Sequence, residues 1–291
     1  MGKLIEPDDI IKAAKLNKIG GASTARILMI LLRINKINKL YSELEKSRGI
    51  EFIDRLIKKL KITYEVSEEE INRIPKSGPF ITVSNHPYGG IDGMLMVKVI
   101  NSVRSDYKVM ANFLLQRVDS IDEFILPVNP FEDRKSASSS LKGIKYALKH
   151  LQDGNALGIF PAGEVSSYNI HSVGISDKQW QEPVLKMIKK AQVPVVPIYF
   201  TGNNSRLFHL LGIIHPSLRT VRLPSELFNK KKKPIRIRIG NPISVKEQND
   251  FKDIQRYGRF LRAKTYALGS ALEVHKFFRP SISRASKVED I

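Results

Sequence analysis

The sequence predicts an α/β fold: a mixed, mostly parallel sheet covered by helices, with an N-terminal helical segment and a C-terminal helix. Three observations lead there. Residues 80–83, 156–160 and 193–200 are short, nearly continuous apolar runs, as expected of strands buried on both faces. Residues 94–100, 138–151 and 179–191, which lie between or beside them, carry apolar positions at helical spacing. Turn chemistry such as Lys76-Ser77-Gly78-Pro79 and Gly154 punctuates the series. Strands alternating with helices require helices on both faces of one sheet.

Taken in order, residues 8–60 read as helical. Pro7-Asp8-Asp9 is a helix start with acids in the first turn. After Gly20-Gly21, residues 23–40 are apolar at the centre and flanked by Arg26, Arg33, Lys36 and Lys39. Such a segment fits a membrane interface, with its cations toward lipid headgroups, and equally a core helix with solvated ends. Residues 50–60 continue as an amphipathic helix through Phe52, Ile53, Leu56, Ile57 and Leu60. A first strand is expected within 61–66, then a short helix or turn at 68–75. Strands are expected at 80–83, 107–110, 124–128, 156–160 and 193–200. Helix 138–151 turns Leu141, Ile144, Leu148 and Leu151 inward, and helix 179–191 does so with Trp180, Val184, Leu185 and Ile188. Residues 234–239 alternate strictly, Ile235, Ile237 and Ile239 against Arg236 and Arg238, which predicts a half-exposed edge strand. A helix from 251 to about 275 and a basic tail close the chain. The organisation expected is an N-terminal helical segment at 1–60, an α/β domain at 61–245, and a C-terminal helix and tail at 246–291 belonging to the same unit.

Bulk properties narrow the function. The 291 residues suffice to bury a large core. Lys and Arg number 48 against 29 Asp and Glu, a net charge of +19, so a negatively charged partner is expected: nucleic acid, an anionic membrane surface or phosphorylated substrates. No recognised nucleic-acid motif occurs, and the aromatics do not interleave with the basic runs. With no cysteine, disulfides, thiol nucleophiles and thiolate metal sites are excluded, which fits a reducing compartment. No apolar run approaches the ~20 residues of a membrane span, so membrane association is expected to be peripheral.

The stretch Ile81-Thr82-Val83-Ser84-Asn85-His86-Pro87-Tyr88-Gly89-Gly90-Ile91-Asp92-Gly93 carries the chemistry. A strand runs into a loop with a histidine, and a carboxylate follows at the start of a helix. In such sheets the chemistry collects beyond the carboxyl ends of strands. A carboxylate on one imidazole nitrogen fixes the tautomer and leaves the other basic toward a substrate hydroxyl. Neither G-x-S-x-G nor H-E-x-x-H occurs, so a serine hydrolase and a common zinc-protease arrangement lack support. No metal site is expected.

These residues resemble the glycerolipid acyltransferases of the lysophosphatidic acid type, whose signature is N-H-x-x-x-x-D. Here one more residue stands between His86 and Asp92, and Gly89-Gly90 can absorb it. The F-P-E-G-T motif of that family is matched by Phe160-Pro161-Ala162-Gly163-Glu164, with the acid displaced. Its apolar strand ending near a proline is matched by Val193-Pro194-Val195-Val196-Pro197-Ile198, and its motif arginine by Asp133-Arg134. The wording is similar to a bacterial, haemolysin-like branch, and the likeness covers about residues 60–245.

The resemblance implies transfer of a fatty acyl group from acyl-CoA or acyl-carrier protein to the hydroxyl of a lysophospholipid or lyso-aminolipid. His86 would be the general base and Asp92 its orienting partner. Asn85, Arg134, Phe160, Pro161, Gly163 and Glu164 would bind substrate. Arg134 would hold an anionic headgroup, and Glu164 would meet a polar acceptor group or pair with Arg134. No cofactor beyond the thioester co-substrate is implied. The expected setting is an anionic membrane surface, peripherally at the cytoplasmic face of the inner membrane, with no nucleic acid involved. The rival readings are a lipid-binding protein with a degenerate site and a basic nucleic-acid-binding protein. Lys230-Lys231-Lys232-Lys233 reads as a solvated loop or a lipid-docking cluster, and Asn203-Asn204-Ser205-Arg206 as a turn or a site wall.

Overall fold

A computed structural model of the chain describes residues 29, 33–112, 118–128, 137–169, 174–230 and 233–277. The N-terminal part opens with helices α1 (Ile34–Leu44) and α2 (Gly49–Leu60), strand β1 (Tyr64–Glu65) and short helix α3 (Glu68–Ile71). The sheet then builds through β2 (Phe80–Ser84), α4 (Gly90–Asn101), β3 (Lys108–Asn112), β4 (Ile125–Val128), α5 (Ala137–Gln152) and β5 (Ala156–Ile159). A hairpin of β6 (Ser167–Asn169) and β7 (Gly174–Ser176) precedes α6 (Glu182–Ala191) and β8 (Val195–Phe200). Helices α7 (Arg206–Ile214) and α8 (Pro216–Glu226), strand β9 (Ile235–Ile239), α9 (Val245–Asn249) and α10 (Ile254–Phe277) complete the described chain.

Seven strands form one sheet in the order β1-β9-β8-β2-β5-β3-β4. The run from β8 to β4 is parallel, β9 is antiparallel to β8, and β1 is parallel to β9. The mixed, mostly parallel α/β architecture read from the sequence is therefore the architecture present. Side chains on β2 alternate between two cores: Phe80 joins α2 and α4 on one face, while Ile81 and Val83 join α5, α6 and α10 on the other. Both faces are covered, which is why the strands carry almost no polar residues.

Register sets the site. Val83 lies opposite Ile159 of β5 on one side, and Ser84 opposite Ile198 of β8 on the other. The carboxyl ends of three central strands are thus level. The chain leaving β2 at Asn85, leaving β5 at Phe160 and leaving β8 at Thr201 emerges at one end of the sheet.

Two expectations change. Strand 235–239 is half-exposed as read, with the isoleucines inside and Arg236 and Arg238 paired to Glu65 and Glu70. It is not the edge, because the two-residue β1 lies outside it. That covering strand comes from far away in sequence, so the alternation alone could not reveal it. Helix α6 begins at Glu182 rather than 179; Gln181 is extended and Trp180 is buried ahead of the helix. The basic apolar segment 23–40 is described only at Met29 and from Arg33, the residue before α1, onward, and the start at Pro7-Asp8-Asp9 lies outside the described residues.

Candidate active site

His86 leaves the end of β2, and Asp92 sits in the first turn of α4. Gly89, at φ 85°, makes the reversal between them, a backbone conformation that side chains with a Cβ rarely adopt. The Nδ1 of His86 lies 3.0 Å from Oδ2 of Asp92, and the carboxylate is fully buried. The approach is oblique to the ring nitrogen, so it is a close polar contact rather than an aligned hydrogen bond. Asp92 also accepts from the backbone N–H of Tyr88 at 2.8 Å and of Gly89 at 3.0 Å. The extra residue between His86 and Asp92 is accommodated here, since the loop closes onto the carboxylate instead of pushing it away. Burial pushes the Asp92 carboxyl above its ordinary value, while His86 and the two N–H groups pull the other way.

The imidazole is held in plane by Phe160, whose ring stacks on it at 3.9 Å between centroids and 27°. Its main chain is held from behind. The His86 N–H donates to Oδ1 of Asp177 at 3.1 Å, and the His86 carbonyl accepts from Ser166 N at 2.8 Å. Asp177 is buried and also accepts from the Ser166 hydroxyl at 2.6 Å. Burial raises its carboxyl too, against the pull of Ser166 and the His86 N–H. Nothing in the sequence near 177 marked it; Ser166 and Asp177 bracket the β6–β7 hairpin, and only pairing of those strands brings them together.

The remaining sequence candidates divide. Pro161 and Gly163 form the turn beyond β5. Gly163 is at φ 70°, and a Cβ there would fall 2.1 Å from the Gln181 amide. Asn85 is beside His86, but its amide is engaged by the main chain of Phe200, donating to the carbonyl at 2.9 Å and accepting from the N–H at 2.8 Å. It ties β2 to the end of β8. Glu164 pairs with Arg219 of α8 at 2.5 Å and with Lys178 at 2.8 Å. Arg134 lies outside the described residues.

Lys230 corrects another expectation. It is not a solvated lysine of a basic loop: it is buried, with its Nζ 2.6 Å from Oδ1 of Asn204, 3.3 Å from Glu226 and over the Tyr88 ring at 4.8 Å. Burial draws its ammonium below the ordinary lysine value, opposed by Glu226. Glu226 accepts from both the N–H and the hydroxyl of Ser205, at 2.9 and 2.7 Å. Burial raises the Glu226 carboxyl, but these donors and Lys230 outweigh it and hold it below its usual value. The Asn203–Arg206 stretch is thus more than a turn. Buried Asn204 and the helix-capping Ser205 anchor this cluster beside Tyr88, whose hydroxyl donates to the Thr201 carbonyl at 2.9 Å.

Among the described residues no group of three or more His, Asp or Glu side chains converges to hold a metal ion, and no helix is long and apolar enough to cross a membrane. A histidine oriented by a buried carboxylate at the carboxyl end of a parallel sheet suits proton abstraction from a substrate hydroxyl. Residues 12–275 match the acyltransferase family, and the chain belongs to it.

Two bacterial relatives resemble the chain over nearly its whole length. The lyso-glycine lipid O-acyltransferase of Bacteroides thetaiotaomicron is 26% identical over 274 residues, covering 91% of this chain and 97% of the relative. That of Phocaeicola vulgatus is 23% identical over 274 residues, covering 91% and 95%. Among solved structures, the 1-acyl-sn-glycerophosphate (LPA) acyltransferase PlsC from Thermotoga maritima aligns with a TM-score of 0.45 and 15% identity, over 90% of this chain and 97% of that one.

Proposed function

We propose that the protein transfers a fatty acyl group from a thioester, acyl-carrier protein or acyl-CoA, to the hydroxyl of a lysolipid of the lyso-aminolipid class at a membrane surface. The observation that carries the reading is the 3.0 Å approach of His86 Nδ1 to buried Asp92 in a chain of the acyltransferase family. The relatives' names direct the choice of acceptor toward lyso-glycine lipid. In this reading Asp92 keeps the proton on Nδ1, so Nε2 accepts the proton of the acceptor hydroxyl. The oxygen attacks the thioester carbonyl, the new C–O bond forms, and the C–S bond breaks. The departing thiolate takes the proton from the imidazolium, so no acyl-enzyme forms. Phe160 stacks on the imidazole, and in this reading it and the Pro161, Gly163 and Glu164 that follow would border the substrates. The net charge of +19 suits an acidic carrier protein as donor.

The test is transfer of labelled acyl chain to detergent-dispersed lyso-glycine lipid by the wild type and by His86→Ala. A fall of about 10²–10⁴-fold in the variant, with its thermal melt unchanged, is expected for loss of a general base. Full activity in His86→Ala would sink the assignment.

A further inference from the structure

Large apolar side chains are exposed in one place above all. Of the seven that are strongly exposed among the described residues, five lie on the α7–α8 hairpin: Leu207, Leu210, Ile213, Ile214 and Leu218. Leu210 is 54% and Ile214 65% exposed. Leu207, Leu210 and Ile214 follow at i, i+3 and i+7, so they form one stripe along α7. The opposite side of the same helix is already used, with Phe208 and His209 buried against the protein. A sixth exposed apolar side chain, the ring of Tyr168, sits on β6, which packs beside α7.

This face is held in place. Glu226 at the end of α8 accepts from Ser205 at the start of α7, closing the base of the hairpin. Arg219 ties α8 to Glu164, and Gly212 lets the Arg219 stem lie close, where a Cβ would be 3.0 Å from its Cδ. Buried charge thus fixes a pair of helices whose outward stripe is apolar. Soluble surfaces rarely carry such contiguous patches without an occupant.

The neighbourhood indicates which occupant. The hairpin rises from the carboxyl end of β8, the end at which His86 emerges, and Leu223 of α8 packs over Gly89 of the catalytic loop. Exposed Arg206 opens α7, and exposed Lys233 precedes β9 at the same end of the sheet. Helix α8 also packs against α1, the described end of the basic apolar segment 23–40. An apolar stripe bordered by cations is the pattern of a surface that enters the headgroup region of an anionic bilayer.

We propose that the outer face of the α7–α8 hairpin docks into an anionic lipid bilayer and presents the His86 loop to acceptors resident there; this rests on the lysolipid reading above. The test compares the wild type with Leu210→Glu/Ile214→Glu, substitutions of exposed residues that leave the core untouched. In flotation with phosphatidylglycerol–phosphatidylethanolamine vesicles the double variant is expected to partition about tenfold less or worse, since two buried aliphatic groups are lost and two anions added. Because the chain has no cysteine, an environment-sensitive fluorophore at Leu210→Cys should brighten and shift blue on vesicle addition. The same label at Lys246→Cys should not, since α9 lies by the opposite, amino end of β8.

Unchanged partitioning of the double variant overturns the proposal. So do equal responses at the two labels, or a wild-type dimer that the double variant dissolves while vesicle binding persists. Acyl transfer in detergent separates the two readings. The double variant should match the wild type there, whereas a wild type inactive in detergent counts against the acyl-transfer reading and leaves partitioning to decide the surface.

Discussion

The loop after β2 and the hairpin after β8 emerge side by side from the same end of the sheet, yet they are built on opposite terms. The first is closed inward: Asp92 is fully buried, Phe160 covers the imidazole, and the backbone of His86 is bonded on both its N–H and its carbonyl. The second buries its charges at the base and turns aliphatic side chains outward. One region spends its polar groups on orienting a single ring; the other uses them to hold a greasy face open. Both regions are fixed by buried polar contacts, one around an imidazole and the other beneath an exposed apolar face.

The sharpest way to break that contrast is at Asp92. With Asp92→Asn the carboxylate no longer fixes the imidazole tautomer, and the rate is expected to fall about a thousandfold. Turnover at saturating thioester measures it, and a loss below tenfold would leave His86 without need of its partner. A smaller but measurable effect is expected at the hairpin base. Lys230→Met leaves Glu226 buried with one cation fewer, and should lower urea-unfolding stability by about 3 kcal/mol. Lys233→Met, in the same basic run but exposed, should change it by less than about 0.5 kcal/mol.

The smallest effect concerns pH. Asp177 titrates higher folded than unfolded, so the native state binds the proton more readily, and the stability this group contributes is present below its ordinary value of 3.8 and lost as pH rises through the raised value. Asp177→Asn cannot titrate. Its stability deficit relative to the wild type should therefore be larger at pH 3.5 than at pH 7, by urea titration at both. A deficit that grows toward neutral pH would show that Asp177 is stabilised as the anion.

Much of this was legible beforehand where the signal was local. Apolar strands, helical spacing and the His86–Asp92 stretch lie within short windows, and those windows coincide with β2, β5, β8, α4 and the loop that brings His86 to Asp92. What escaped was assembled at a distance. Asp177 reaches His86 only after β6 and β7 pair, and Glu164 meets Arg219, an arginine 55 residues further on that no motif singles out. Lys230 looked like one of four solvated lysines because nothing in the run distinguishes the one that turns inward to Asn204 and Glu226. The exposed stripe of α7 is not legible in sequence because Leu207–Ile214 is apolar on both sides, and a sequence of that kind does not say which side faces the protein.

Asn85 carries a consequence in time. Its amide grips the main chain of Phe200, a partner 115 residues further along, while the N–H of His86 waits for Asp177. A chain emerging from the ribosome therefore has its histidine long before it has the clasp that seats it. Until β8 slots in beside β2, Asn85 lacks Phe200, and the loop that carries His86 lacks this tie to the sheet.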